Sequence, residues 1–166
     1  MGTSGRHLEG RGRTVSVDDE TLVTWWGLIL EGFSRAHGRI DADLREVADL
    51  PGPWFEVLLR LSRTPGRELP LTRLAKEVAF SSGGFTKMAD RLVARGLIER
   101  RPSPTDRRVT LAGLTPQGAR VLDRALRVHL DSLRRYVLEP LGAERLEQVA
   151  VGMKELRDHE GGTPTL

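Results

Sequence analysis

The chain has 166 residues, enough for one ordinary domain, with 30% charged residues, 5% aromatics and a formal net charge of only +3. It has no cysteine, which excludes disulfides, thiolate zinc sites and cysteine oxidation switches. No apolar run reaches the roughly 18 residues of a membrane span, and the N-terminus lacks a signal-peptide core, so the expected location is cytoplasmic.

Residues 1–17 are rich in Gly, Ser and Arg and read as a flexible arm. Arg6, Arg11 and Arg13 stand within reach of phosphates there, although a plain disordered tail is the simpler expectation. Residues 18–50 open on Asp18-Asp19-Glu20, acids that suit a helix N-terminus. Leu22, Trp25, Trp26, Ile29, Leu30, Phe33 and Ile40 then recur as one helical stripe. A short helix is expected from Pro53, burying Trp54, Val57, Leu58 and Leu61, with Arg63 to Arg67 as a loop after it.

Leu71, Leu74, Ala75 and Val78 line one face of a further short helix, introduced by Pro70. After Ala79-Phe80, Ser81 or Ser82 is placed to cap a second helix. Its apolar stripe is Phe85, Met88, Ala89, Leu92 and Val93, and Gly96 suits the left-handed position that ends it. Two short helices joined this closely form a helix-turn-helix, whose second helix enters the DNA major groove by its N-terminal end. Ser81, Ser82 and Gly83 at that end are small enough for close phosphate approach, where the helix dipole favours negative charge. Thr86, Lys87 and Arg91 reach far enough for base edges or phosphates.

Leu97 to Arg100 and Arg108 to Leu114 read as the two strands of a hairpin, joined by Pro102-Ser103-Pro104-Thr105-Asp106. Arg100, Arg101, Arg107 and Arg108 crowd in or beside this turn. Such a cluster repels itself unless an anion answers it, and a narrow minor groove attracts inserted arginine. Arg107 and Arg108 are the candidates for that groove, and Asp106 can hold one arginine in a bidentate pair and stiffen the turn. Residues 73–108 hold nine Lys/Arg against four Asp/Glu, whereas residues 18–50 hold three Arg against eight acids. That separation gives one surface suited to a polyanion.

Thr115-Pro116 marks a new helix start, and the stripe Leu122, Ala125, Leu126, His129, Leu133, Tyr136 and Val137 carries it to about Leu138. Pro140-Leu141-Gly142 is expected to break it before a last helix bearing Leu146, Val149, Ala150, Met153 and Leu156. Residues 160–166 read as a flexible tail. A helix from Pro116 to Leu138 is about 35 Å long, more than a small winged-helix core can cover. The first helix and the last two are therefore expected to pair across a two-fold axis in a homodimer, with recognition helices about 34 Å apart.

The order and spacing from Leu74 to Gly118 resemble the MarR family of bacterial transcriptional regulators. The resemblance rests on Leu74-Ala75, Thr86 through Leu92, Gly96-Leu97-Ile98-Glu99-Arg100, Thr105-Asp106-Arg107-Arg108 and Leu114-Thr115-Pro116-Gln117-Gly118. The Asp106-x-Arg108 turn followed by Leu-Thr-x-x-Gly separates it from a generic winged helix. The Ser82-Gly83-Gly84 run departs from the more polar residues common there. The resemblance implies a mainly α fold with a small β-wing, a winged helix-turn-helix flanked by long N- and C-terminal dimerisation helices. On it, residues 18–50 and 115–159 form the dimerisation helices and 51–114 the DNA-binding lobe.

It further implies a homodimer on a palindromic site in double-stranded DNA, repression by blocking polymerase, and frequent release by a small aromatic effector. Trp25, Trp26, His37 and Trp54 are the candidate lining for that effector, although aromatics at helical spacing more often pack a core. The four histidines, His7, His37, His129 and His159, show no metal spacing, so no metal and no cofactor is expected. No HExxH, GxSxG or Walker loop is present, and Gly10-Arg11-Gly12 follows no strand, which points away from an enzyme. The remaining alternative is a winged helix that docks a protein partner. Lys87 and Arg91 on the outer face of the second helix favour DNA.

Overall fold

The computed structural model describes residues 17–78 and 82–159. The proposed phosphate contacts of Arg6, Arg11 and Arg13, the Ala79-Phe80 turn, the Ser81 cap and the tail from residue 160 lie outside the described residues.

The elements in order are α1 (Asp19–Ala48), α2 (Gly52–Arg63), β1 (Glu68–Pro70), α3 (Leu71–Glu77), α4 (Ser82–Ala94), β2 (Ile98–Pro102), β3 (Thr110–Leu114), α5 (Pro116–Leu133), α6 (Glu139–Leu141) and α7 (Ala143–Asp158). A 3-10 turn, Pro65–Arg67, precedes β1, and a π-helical turn, Arg134–Leu138, joins α5 to α6. The architecture is mainly helical, with a small antiparallel sheet of order β1-β3-β2.

By its internal contacts the chain divides after Ser34. The first unit is the opening half of α1. Asp18 caps it: its carboxylate accepts from the Thr21 amide at 2.9 Å and the Thr21 hydroxyl at 2.8 Å. Those bonds, the amide first, lower the Asp18 pKa. Leu22, Trp25, Trp26, Ile29, Leu30 and Phe33 are all exposed within the chain, Trp25 and Trp26 at 53% each.

The second unit, from Arg35 onward, holds the hydrophobic core. Leu44, Leu50, Phe55, Val57, Leu58, Leu61, Leu74, Leu92, Leu97 and Ile98 are its fully buried large side chains. The α1–α2 corner is closed by Asp41, which accepts from the Gly52 amide at 2.7 Å and pairs with Arg45 at 2.8 Å. On α2 the buried aromatic is Phe55; Trp54, expected inside, is only half-buried. Val93, expected in the α4 stripe, is exposed too.

Three elements differ in their bounds from expectation. Glu68–Pro70, inside what read as the approach to the helix-turn-helix, is a strand, because its partner Leu111–Gly113 lies more than forty residues on. The turn-side ends of the hairpin strands lie two residues later than expected: β2 starts at Ile98 and runs through Pro102, and β3 begins at Thr110. The long C-terminal helix breaks within Pro140-Leu141-Gly142 as expected, but its last helical residue is Leu141, three residues past Leu138. It widens into the π-turn just before Pro140 and ends at Gly142, whose φ is +75°.

α5 also buries more within the chain than its length suggested. Leu122 and Ala125 are in the core, and Leu126, Leu133, Tyr136 and Val137 pack against it. The apolar surface left open lies mainly on α1 and on α7, where Val149, Met153 and Leu156 are exposed, although Leu130 of α5 is exposed too.

His129 on α5 stands against α2, its ring centroid 4.6 Å from that of Phe55. Its Nδ1 is buried without a hydrogen-bond partner among the described residues. Burial holds its pKa below the ordinary 6.5; Glu56 opposes this, and Arg63 and His37 reinforce it. A histidine pKa lowered by folding means that the stabilisation is complete above the unfolded value and is lost as pH falls below about 6.5. The urea midpoint of the wild type should therefore drop between about pH 7.5 and 5.5 by more than that of His129→Leu. Equal drops would remove His129 as the cause.

Candidate nucleic-acid interface

α3 and α4 form the helix-turn-helix, and the β2–β3 hairpin forms the wing. On α4, Phe85, Met88, Ala89 and Leu92 face the core. Gly84, Thr86, Lys87, Asp90 and Arg91 are exposed on the outer side. Ser82 and Gly83 belong to the first turn of α4, but their side chains lie outside the described residues.

Lys87 and Arg91, one helical turn apart, form no ion pair among the described residues. Thr86 lines a shallow cleft of about 210 Å³ with Leu71, Thr72 and Arg100. The end of α4 is a Schellman turn. The Leu97 amide donates to the Leu92 carbonyl at 2.9 Å and the Gly96 amide to that of Val93 at 2.8 Å. Gly96 takes φ +65°, the left-handed conformation this turn requires.

The four arginines near the wing have two different environments. Arg100 pairs with Asp90 at 2.7 Å, tying β2 to α4. Arg101 pairs with Glu68 of β1. Both sit in β2, facing internal carboxylates. At the tip, Arg107 is exposed with no ion pair among the described residues, and Arg108 is held by Asp106. The Asp106 carboxylate accepts from Arg108 Nε and Nη2, both at 3.2 Å, and from the Arg108 amide at 3.0 Å. Those bonds, the guanidinium ones first, lower the Asp106 pKa.

Ser103, which the sequence pattern did not single out, organises the tip. It is buried, and its Oγ accepts from the Thr105 amide at 3.3 Å and that of Asp106 at 3.4 Å. The Ser103 amide donates to the Val109 carbonyl at 2.8 Å, and the Val109 amide to that of Asp106 at 2.9 Å. A Ser between two prolines signals a turn in sequence, but a carbonyl partner six residues on leaves no local pattern. The result is a fixed arch that presents two guanidinium groups.

The wing is anchored to α5 through Thr115. Its hydroxyl donates to the Gly96 carbonyl at 2.6 Å and accepts from the Gly118 amide at 2.9 Å, the N-cap bond. Gln117 Nε2 donates to the Arg95 carbonyl at 3.1 Å, which seats the first turn of α5 on the C-terminal end of α4.

Of the aromatic candidates, Trp54 stands beside α4. It lines an open cleft of about 320 Å³ with Arg45, Pro51, Pro53, Gly84, Lys87, Met88 and Arg91. Trp25 and Trp26 are on the opening half of α1, and His37 is exposed farther along it. Among the described residues no group of three or more His, Cys, Asp or Glu is placed to hold a metal ion. No described helix is long and apolar enough to cross a membrane.

Comparison with known proteins gives consistent results. The family model described as "MarR family" matches residues 48–109. The multiple antibiotic resistance protein MarR of Salmonella typhimurium is 31% identical over 108 residues, which cover 65% of this chain and 74% of that protein. A MarR family transcriptional regulator from Streptomyces coelicolor, solved in complex with DNA, superposes with a TM-score of 0.76 at 27% identity, covering 90% of this chain and 92% of that one. A mutant Escherichia coli MarR complexed with operator DNA shares the fold, with a TM-score of 0.68 at 24% identity over 84% of this chain and 99% of that one.

Proposed function

The chain belongs to the MarR family of transcriptional regulators, and on that premise we propose that it binds a palindromic operator in duplex DNA as a homodimer and represses transcription there. The observation that carries this reading is the pairing of two exposed cationic sites on one lobe: Lys87 and Arg91 on α4, which form no ion pair among the described residues, and Arg107 at the wing tip beside Arg108, which Asp106 braces. Ser82 and Gly83 at the start of α4, with Ser81 before them in sequence, meet the major groove, and Thr86, Lys87 and Arg91 contact bases or phosphates. Arg107 and Arg108 approach the minor groove. Asp106 sets the direction of Arg108.

The lobe spans residues 51–114, and residues 18–50 and 115–159 supply the dimerisation helices. The exposed stripe of α1 and the apolar side of α7 support this assignment, because both otherwise leave large hydrophobic side chains in water. A two-fold axis that buries them sets two copies of α4 at successive major grooves.

Release by a small aromatic anion is consistent with the cleft at Trp54. Trp54, the two prolines and Met88 offer an apolar wall, and Arg45, Lys87 and Arg91 offer cations. Two of those cations belong to the DNA-reading face, so an occupant draws the population away from the DNA-bound state. Of the expected lining, Trp54 carries this proposal; Trp25, Trp26 and His37 have no comparable support.

Footprinting across the protein's own promoter, with and without an aromatic carboxylate such as benzoate, checks these points together. A protected palindrome that fades with ligand is expected, from a species that sediments as a dimer. Absence of any footprint would sink the operator, a monomer at micromolar concentration the two-fold arrangement, and a ligand-insensitive footprint the release by such anions.

A further inference from the structure

Three basic residues stand at four-residue spacing, Lys87 and Arg91 on α4 and Arg95 just past its end, and they look equivalent in sequence. The structure separates the third. The Arg95 guanidinium lies 5.5 Å from the ring centroid of Trp54 on α2, and its Nη2 donates to Asp49 Oδ2 at 2.9 Å. Asp49 follows α1 with φ +48°, a left-handed conformation that few residues other than glycine tolerate as well as aspartate. The backbone carbonyl of the same Arg95 accepts from Gln117 on α5. The residue that follows α4 is thus tied to the α1–α2 corner and to α5.

We propose that Arg95 is a positioning residue for the reading helix, clasped by Trp54 and Asp49, and that it fixes the angle at which α4 meets DNA without touching DNA itself. This rests on the operator-binding reading above. A 13-residue helix is about 20 Å long. A tilt of about 10° about its C-terminal end therefore moves its N-terminal end by about 3 Å. Hydrogen bonds to base edges do not survive such a shift. Each half of the clasp is exposed and weak on its own. Their value lies in direction: Asp49 and Trp54 hold one guanidinium against the α1–α2 corner, which Asp41 closes independently through Gly52. Trp54 also lines the cleft that contains Lys87 and Arg91, so the clasp and that cleft share a wall.

The test uses the full-length protein and a duplex from its own promoter, titrated at several salt concentrations. Arg95→Ala and Trp54→Leu should each weaken binding by about fivefold, with the slope of log affinity against log salt unchanged. Arg95→Lys and Trp54→Phe, which keep a cation and an aromatic face, should retain most of the affinity. A slope about one unit shallower in Arg95→Ala would make Arg95 a phosphate contact and overturn the proposal; so would wild-type affinity. Hydrogen exchange of the DNA-free protein reads the clasp separately. Amides of Ser82–Ala94 should exchange faster in Arg95→Ala than in the wild type or Arg95→Lys, and unchanged exchange overturns the clasp. A wild type that binds no duplex, while exchange still responds, overturns the operator reading and leaves the clasp standing.

Discussion

Gly118→Ala is expected to destabilise the fold by about 3 kcal/mol, the upper part of the usual range for overpacking. A Cβ at Gly118 would lie 2.0 Å from the Leu97 carbonyl oxygen and 2.9 Å from Leu114 Cδ1. The first obstacle is backbone, so no rotamer change relieves it. That carbonyl also receives the Thr115 amide at 3.2 Å. Displacing it would therefore disturb the cap of α5 and the end of α4 together. Domains of this size are held by about 5–15 kcal/mol, so the loss is a large share of the total. Gly38→Ala is the control, because a Cβ at Gly38 meets nothing within 4 Å in the chain and alanine favours helix by about 1 kcal/mol. Urea unfolding of the two variants should move in opposite directions. A Gly118→Ala midpoint equal to wild type would show that the seam between α5 and Leu97 yields easily.

The second large effect concerns DNA. Arg91→Ala should cost about 1–3 kcal/mol in operator affinity, between about fivefold and about 150-fold, with specificity relaxed at one base position if it reads a base. Arg107→Ala at the wing tip should instead weaken all sequences alike and lower the salt slope by about one. Arg108→Ala should also weaken the complex, and Asp106→Asn should do so indirectly by freeing Arg108 from its bidentate hold. Arg100→Ala and Arg101→Ala are the informative contrast. Their partners are Asp90 and Glu68 within the fold, so their salt slopes should stay at the wild-type value. Full operator affinity in both Arg91→Ala and Arg108→Ala would remove α4 and the wing from the interface.

The contrast among those arginines also marks what the sequence reveals and what it withholds. Features fixed by neighbours in the chain were legible. The apolar spacing from Leu71 to Leu92, the left-handed Gly96, and the Thr115-Pro116 start are all local, and each stands where the residue pattern put it. Features fixed by distant pairing were not. β1 is three residues long and ends in proline, so nothing within it announces a strand until Leu111–Gly113 lies alongside. Arg100 and Arg101 read as free charge because Asp90 and Glu68 are ten or more residues away.

Trp54 and Phe55 show a related limit. Both suit an amphipathic helix, and only the packing of α2 against the core decides that Phe55 turns in while Trp54 stays at the edge beneath Arg95. For the interface itself, the reach and charge of Lys87, Arg91, Arg107 and Arg108 could be read directly. The buried Ser103 that shapes the arch beneath the last two could not, since its role depends on amides brought round by the turn.

The π-turn at Arg134–Leu138 carries one more residue than α-helix of the same rise would need. It behaves as a phase marker in the chain. A face counted forward from Leu122 in steps of 3.6 residues loses register on passing it, by about 100° around the axis. Glu139 to Leu141 therefore keep their own helical count, and α7 starts another after Gly142. Any pattern laid across the join, whether to graft a binding face or to compare related chains position by position, has to be indexed from each side separately.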